Sequence, residues 1–101
     1  MDRVIEDGQV AVLVSPGFGA GWYSWHEVIP LLFDPVVVEL VRTDRRTEIE
    51  AYVSTTYPDL YCGGVDDLVI EWVPVGERFR ISEYDGSETL VLESEHIWVT
   101  A

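Results

Sequence analysis

The sequence has no lysine, a single cysteine and few positive charges of any kind. Its 101 residues carry 19 acidic side chains against 6 basic ones, all arginine, for a formal net charge of −13. Such a surface repels the phosphate backbone of nucleic acids, which clustered lysine and arginine bind, and is repelled by anionic membranes. One cysteine cannot form an internal disulfide, which excludes a disulfide-stabilised secreted scaffold. No apolar run approaches the roughly 20 residues of a membrane span, so we expect a cytoplasmic protein.

Hydrophobic residues make up 48% of the chain, enough for the core of one domain spanning residues 1–101. The acidic side chains alternate with apolar ones instead of forming a continuous block, which places them on the surface of a folded protein. Residues 9–15 form a valine-rich run that is apolar on both faces. This pattern predicts a buried central strand.

Two to three short helices are predicted after that strand. Ser24 and Glu27 fit the capping box of a helix start, and Pro30 should kink or shorten this first helix because it cannot close the turn. Asp34, followed directly by a proline, predicts the start of a second helix. Asp44 can cap a third helix, and Pro58 is expected to end it.

Beyond residue 65 apolar residues recur at every second position. This period predicts an antiparallel meander of about four strands, the last over residues 97–100. Turns are expected at 74–77 and at Asp85-Gly86, a strong hairpin signal. The order of an N-terminal strand, short helices and a meander predicts an α+β fold.

The most unusual segment is residues 15–25, which we name the Gly/aromatic loop. Its glycines let backbone N–H groups approach a ligand closely, and its aromatic rings suit stacking or a protein contact. It lacks the spacing of a dinucleotide-binding loop and the lysine of a phosphate-binding loop. The alternative is a plain connection whose aromatic side chains fold back onto the core. The candidate ligand or partner residues are Pro16, Gly17, Phe18, Gly19, Gly21, Trp22, Tyr23 and Trp25.

Two charged groups are further candidates. Three arginines could contact a phosphate or carboxylate, or could simply pair with neighbouring acids. They are Arg42, Arg45 and Arg46. Acids of the predicted meander could form a face that imitates a nucleic-acid backbone or meets a basic protein, or could serve solubility alone. The candidates for this acidic face are Glu71, Glu83, Asp85 and Glu88.

A cysteine nucleophile is the enzymatic alternative. Cys62 precedes two glycines, and His26 or His96 could act as its base with Asp66 as the orienting group. Nothing in the spacing requires this arrangement, so we expect no enzymatic activity. No pair of residues has metal-ligand spacing, and we expect neither a metal nor a cofactor.

Three segments carry a resemblance to a known group of proteins. They are Gly17–Trp25 (GFGAGWYSW), Tyr61–Gly64 (YCGG) and Trp72–Glu88 (WVPVGERFRISEYDGSE). As a set they resemble small, acidic, uncharacterised proteins encoded by bacteriophages, over most of the chain. The resemblance implies an accessory protein that binds host machinery, such as an inhibitor of restriction, of CRISPR complexes or of nucleotide-signalling defence.

The expected function is therefore non-enzymatic capture in the host cytoplasm, through the Gly/aromatic loop. The captured partner would be a host defence protein or a nucleotide second messenger, with no direct binding of nucleic acid or membrane. The alternative is an acidic mimic of nucleic acid that blocks a DNA- or RNA-binding host protein. A homodimer or higher oligomer is also expected, because exposed strand edges invite pairing.

Overall fold

The computed structural model describes residues 3–19, 21–95 and 101 of the chain. The strands are β1 (Ile5–Glu6), β2 (Gln9–Val14), β3 (Val69–Pro74), β4 (Phe79–Tyr84) and β5 (Ser87–Leu92), and the α-helices are α1 (Pro30–Phe33), α2 (Pro35–Arg42) and α3 (Ile49–Thr56). Short 3-10 turns lie at Arg46–Glu48, Val65–Asp67 and Glu93–Glu95. This order confirms the predicted α+β fold. The strand expected over residues 97–100 lies outside the described residues.

The predicted central strand is β2, which lies between β1 and β3 in an antiparallel sheet. Its register pairs Val10 with Val73 and Val14 with Val69. β4 and β5 pair with each other in a separate antiparallel sheet. The strands after the helices are therefore antiparallel as expected, but β3 pairs with β2, and the expected meander is divided between two sheets.

Alternate residues of β2 belong to two apolar clusters, because successive side chains of a strand point to opposite faces. Ala11 and Leu13 pack in one cluster with buried residues of the helices and of two connecting segments, which are Trp22, Leu31, Val37, Val38, Leu40, Ile49, Val53 and Leu68. Val10, Val12 and Val14 pack in the other with Leu32, Phe33 and Val73 and with half-buried residues of the second sheet, Phe79, Ile81, Leu90 and Leu92. Residues of α2 and α3 thus cover one face of β2, and the β4–β5 hairpin with two residues of α1 covers the other, which explains the continuous apolar run.

Asp34 is a buried helix cap, as its position before a proline predicts. Its Oδ1 accepts hydrogen bonds from the backbone amides of Val36 and Val37, at 2.9 and 3.3 Å. Its Oδ2 accepts from the hydroxyls of Tyr52 and Tyr57, each at 2.8 Å. Burial and the bond to Asp34 raise the pKa of both tyrosines. One carboxylate therefore starts α2 and ties it to α3.

The other two predicted helix starts are wrong. No helix begins at Ser24, whose amide is bonded elsewhere, and Glu27 has a φ of 58°, which breaks a helical run. Pro30 begins α1 instead of kinking a longer helix, because the first position of a helix needs no N–H donor. Asp44 also has a positive φ, 55°, and α3 follows a 3-10 turn without a side-chain cap.

Both predicted turns are confirmed. Asp85 and Gly86 have φ values of 49° and 83°, the left-handed pair that a two-residue hairpin of type I′ requires. The Glu77 amide donates to the Pro74 carbonyl at 3.0 Å and closes the turn at 74–77. Among the described residues, no helix combines the length and apolar character needed to cross a bilayer.

Candidate functional site

A buried carboxylate holds the Gly/aromatic loop at both ends. Glu88, near the start of β5, is only 2% exposed. Its Oε1 accepts from the Ser15 amide at 3.1 Å and from the Ser15 hydroxyl at 3.2 Å. Its Oε2 accepts from the amides of Tyr23 and Ser24, each at 2.8 Å. Four donors around one carboxylate offset the cost of burying its charge.

This burial corrects the expected acidic face, because Glu88 is not on the surface. Glu83 and Asp85 are exposed at the β4–β5 hairpin, where Glu83 Oε1 accepts from the Gly86 amide at 2.6 Å. Glu71 is exposed on β3, in the other sheet. The four predicted acids therefore do not form one row of charge on a single sheet.

The hairpin between β4 and β5 packs directly on the Gly/aromatic loop. The Gly19 amide donates to the Asp85 carbonyl at 2.9 Å, and the Ser87 hydroxyl donates to the Pro16 carbonyl at 2.6 Å. Gly86 lies so close to Gly19 that a Cβ at residue 86 would overlap the Gly19 carbonyl. These contacts thus reinforce the bonds of Glu88 and hold the loop against the second sheet.

The aromatic side chains of the loop divide between core and surface. Trp22 is completely buried, and its Nε1 donates to the Leu31 carbonyl at 2.9 Å. Tyr23 is half-buried, and burial raises the pKa of its hydroxyl. Phe18 and Trp25 are 76% and 60% exposed. Trp22 therefore folds back onto the core, as the alternative interpretation of this loop expects, whereas Phe18 and Trp25 face solvent.

A second loop brings Tyr61 to Trp25. The Gly63 amide donates to the Gly21 carbonyl at 3.0 Å, which joins the segment after α3 to the Gly/aromatic loop. The Trp25 and Tyr61 rings lie in contact, with centroids 5.9 Å apart and planes inclined by 41°. Tyr61 is 67% exposed. Sequence analysis missed Tyr61 as a site residue, because only its neighbouring glycines distinguish it.

A surface groove of about 210 Å³ lies beside Tyr61. Its lining residues come from the Gly/aromatic loop, from α3 and from the segment that follows α3. They are Trp22, Glu50, Val53, Ser54, Leu60, Tyr61, Cys62 and Val65. We name Trp25, Tyr61 and this groove together the aromatic surface.

Cys62 and His26 meet at the groove, with Sγ and Nε2 3.5 Å apart. His26 Nδ1 accepts from the Val28 amide at 3.0 Å, which assigns the ring proton to Nε2. Nε2 in turn lies 3.0 Å from the Trp22 carbonyl, to which it donates. Burial raises the pKa of the Cys62 thiol to about 11. The pair therefore offers neither a free basic nitrogen nor a thiolate at neutral pH, and the other proposed base, His96, lies outside the described residues.

The three candidate arginines are not gathered at the Gly/aromatic loop. Each lies beside an acid: Arg42 beside Glu6, Arg45 at 3.7 Å from Glu48, and Arg46 at 3.7 Å from Asp44. Arg46 also donates to the Val65 carbonyl at 2.8 Å. In the described part of the chain, none of their hydrogen bonds or ion pairs reaches residues 15–25.

Within the described ranges, no group of three His, Cys, Asp or Glu side chains is placed to hold a metal ion. Comparison with protein-family models, with curated proteins and with solved structures found no match.

Proposed function

We propose that the protein is a non-enzymatic binding protein that captures a partner protein through the aromatic surface. The observation that carries this proposal is the exposed, mutually contacting pair of Trp25 and Tyr61. Tryptophan and tyrosine are the residues that most often dominate the energy of protein interfaces. Their rings bury a large area on binding and have few torsions to order.

The rigidity of the supporting loops strengthens the proposal. Trp25 directly follows two residues whose amides are bonded to the buried Glu88 carboxylate. Tyr61 lies two residues before Gly63, whose amide is bonded to the Gly21 carbonyl. A surface that is already ordered loses less conformational entropy when a partner binds. Exposed aromatic rings on restrained loops are therefore better explained by a binding role than by a loop that only connects two elements.

A protein partner is favoured over a nucleotide second messenger. A nucleotide would need cations near the loop to overcome the net charge of −13. Each of the three candidate arginines lies beside an acid, and in the described part of the chain none of them bonds to a residue of the loop. The resemblance to bacteriophage proteins provides the context of host defence, and the acidic mimic of nucleic acid remains the alternative for the exposed Glu71, Glu83 and Asp85.

The test is affinity capture from a bacterial lysate with quantitative mass spectrometry. Three tagged proteins are compared: the unaltered chain, the double variant Trp25→Ala/Tyr61→Ala, and Val75→Ala. Val75 is a matched control because it is 58% exposed and apolar but lies at the opposite end of β2 and β3. The unaltered chain and Val75→Ala should retain the same protein, and the double variant should lose it.

Equal retention by all three chains would contradict the proposal, as would the absence of any retained protein. If retention falls steeply with added salt but is unaffected by the double substitution, the acidic mimic is favoured. Thermal unfolding of each variant, followed by circular dichroism, verifies that the two rings are removed from a folded protein.

A further inference from the structure

We infer that the groove of the aromatic surface binds an arginine side chain of the captured protein. The inference rests on the proposed function and specifies its partner: a protein segment with an exposed arginine. Three properties of the groove support it, namely its size, its charge and its aromatic rim.

The size of the groove suits one long side chain. Its volume of about 210 Å³ is below the roughly 300–1,000 Å³ of pockets that enclose drug-sized ligands. Its lining includes the apolar residues Val53, Leu60 and Val65. Such walls can cover the methylene stem of an arginine while its charged end stays near solvent.

The charge of the groove suits a cation. Glu50 is the charged residue of the lining, and it is exposed. Within the described part of the chain it forms no hydrogen bond or ion pair, so its carboxylate is available to a partner. Arg46 bonds to the carbonyl of Val65, but it is not part of the lining and lies 3.7 Å from Asp44.

The rim of the groove suits a guanidinium in particular. Tyr61 belongs to the lining, and Trp25 lies against it with ring centroids 5.9 Å apart. A guanidinium stacks on the faces of such rings and can donate two parallel hydrogen bonds to one carboxylate. The ammonium group of lysine is a compact, strongly hydrated charge that stacks on rings and pairs with a carboxylate less well. Arginine is therefore the side chain that the groove fits best.

The first experiment uses small probes and the unaltered full chain. N-acetyl-arginine methylamide and the corresponding lysine and citrulline compounds are titrated while the amide and indole signals of the protein are followed by NMR. The arginine compound should shift the signals of Trp25, Tyr61 and Cys62, with saturation at millimolar concentrations. The uncharged citrulline compound should bind several-fold more weakly. Equal shifts with citrulline, tighter binding of lysine, or no shifts with arginine would overturn the inference.

The second experiment tests Glu50 against a matched acid. Glu50→Gln should weaken binding of the arginine compound roughly two- to fivefold, which is the contribution of an exposed ion pair. Glu48→Gln is the control, because Glu48 lies at the same end of α3, is exposed and does not line the groove. Equal weakening in both variants would indicate a general effect of net charge and would overturn the assignment to the groove.

The same variants separate this inference from the proposed function. If lysate capture depends on Trp25 and Tyr61 but is unaffected by Glu50→Gln, the binding protein stands and the arginine anchor is wrong. If capture is reduced by Glu50→Gln and unchanged by Glu48→Gln, both stand. If capture does not depend on the two rings, the proposed function fails whatever the arginine compound does.

Discussion

Three hydrogen bonds join Glu88 to Ser15, a residue 73 positions earlier in the chain. The Glu88 carboxylate accepts from the Ser15 amide at 3.1 Å and from its hydroxyl at 3.2 Å, and the Glu88 amide donates to the Ser15 carbonyl at 2.9 Å. Both residues are buried. The end of β2 and the start of β5 are therefore joined where the Gly/aromatic loop begins, and the same carboxylate also accepts from the two amides that precede Trp25.

Replacing Glu88 by glutamine should destabilise the protein. An amide group places a donor where an oxygen now faces N–H and O–H donors, so at least one buried donor loses its partner. The expected loss is about 2–4 kcal/mol in the free energy of unfolding, measured by urea denaturation. Glu48→Gln, at an exposed site, is the control and should change stability by less than about 0.5 kcal/mol. Similar losses in the two variants would contradict the structural role of Glu88.

Alanine should cost different amounts of stability at two glycines that share a left-handed backbone conformation. Gly86 and Gly76 have φ values of 83° and 88°, so alanine is strained at both. A Cβ at residue 76 meets no atom within 4 Å, whereas one at residue 86 overlaps the Gly19 carbonyl. Gly76→Ala should therefore cost about 1 kcal/mol, and Gly86→Ala should cost at least about 2 kcal/mol more. Equal losses in thermal or urea unfolding would show that the loop does not pack on the hairpin as described.

The features that were predicted from the sequence are those that a few neighbouring residues determine. Asp34 before a proline is sufficient to predict the cap of α2, and Asp85-Gly86 is sufficient to predict the hairpin turn. The apolar run at 9–15 indicates a buried strand whichever strands pair with it. These elements follow from local backbone preferences and from the periodicity of apolar residues.

The features that were missed depend on residues far apart in the chain. Ser24 has the sequence of a helix cap, but its amide bonds to Glu88, and no periodicity distinguishes Glu88 from the exposed acids near it. Trp25 and Tyr61 come together only because Gly63 is bonded to Gly21. The sequence alone therefore predicted the candidate loop but neither the carboxylate that holds it nor the second ring of the aromatic surface.

Two tryptophans of the Gly/aromatic loop should have opposite roles. Trp22 is buried and its indole N–H is bonded to the Leu31 carbonyl, so Trp22→Ala should cost about 3–5 kcal/mol of stability. Trp25 is 60% exposed, so Trp25→Ala should cost less than about 1 kcal/mol while abolishing capture of the partner. Unfolding measurements and the capture assay, made on the same samples, check both expectations. A large loss of stability in Trp25→Ala would assign that ring to the core.

The thiol of Cys62 should be unreactive at neutral pH. Its pKa is raised by burial from an ordinary value of 9.0 to about 11, and the thiolate is the form that reacts. At pH 8 this difference lowers the thiolate population roughly a hundredfold. Iodoacetamide should therefore modify the native chain far more slowly than the same chain in urea, with modification followed by mass spectrometry. Because the thiolate population rises until the pH passes the pKa, the native rate should increase about tenfold per pH unit from 8 to 10. A native rate at pH 8 equal to the rate in urea would show a reactive thiolate instead and would favour the enzymatic alternative.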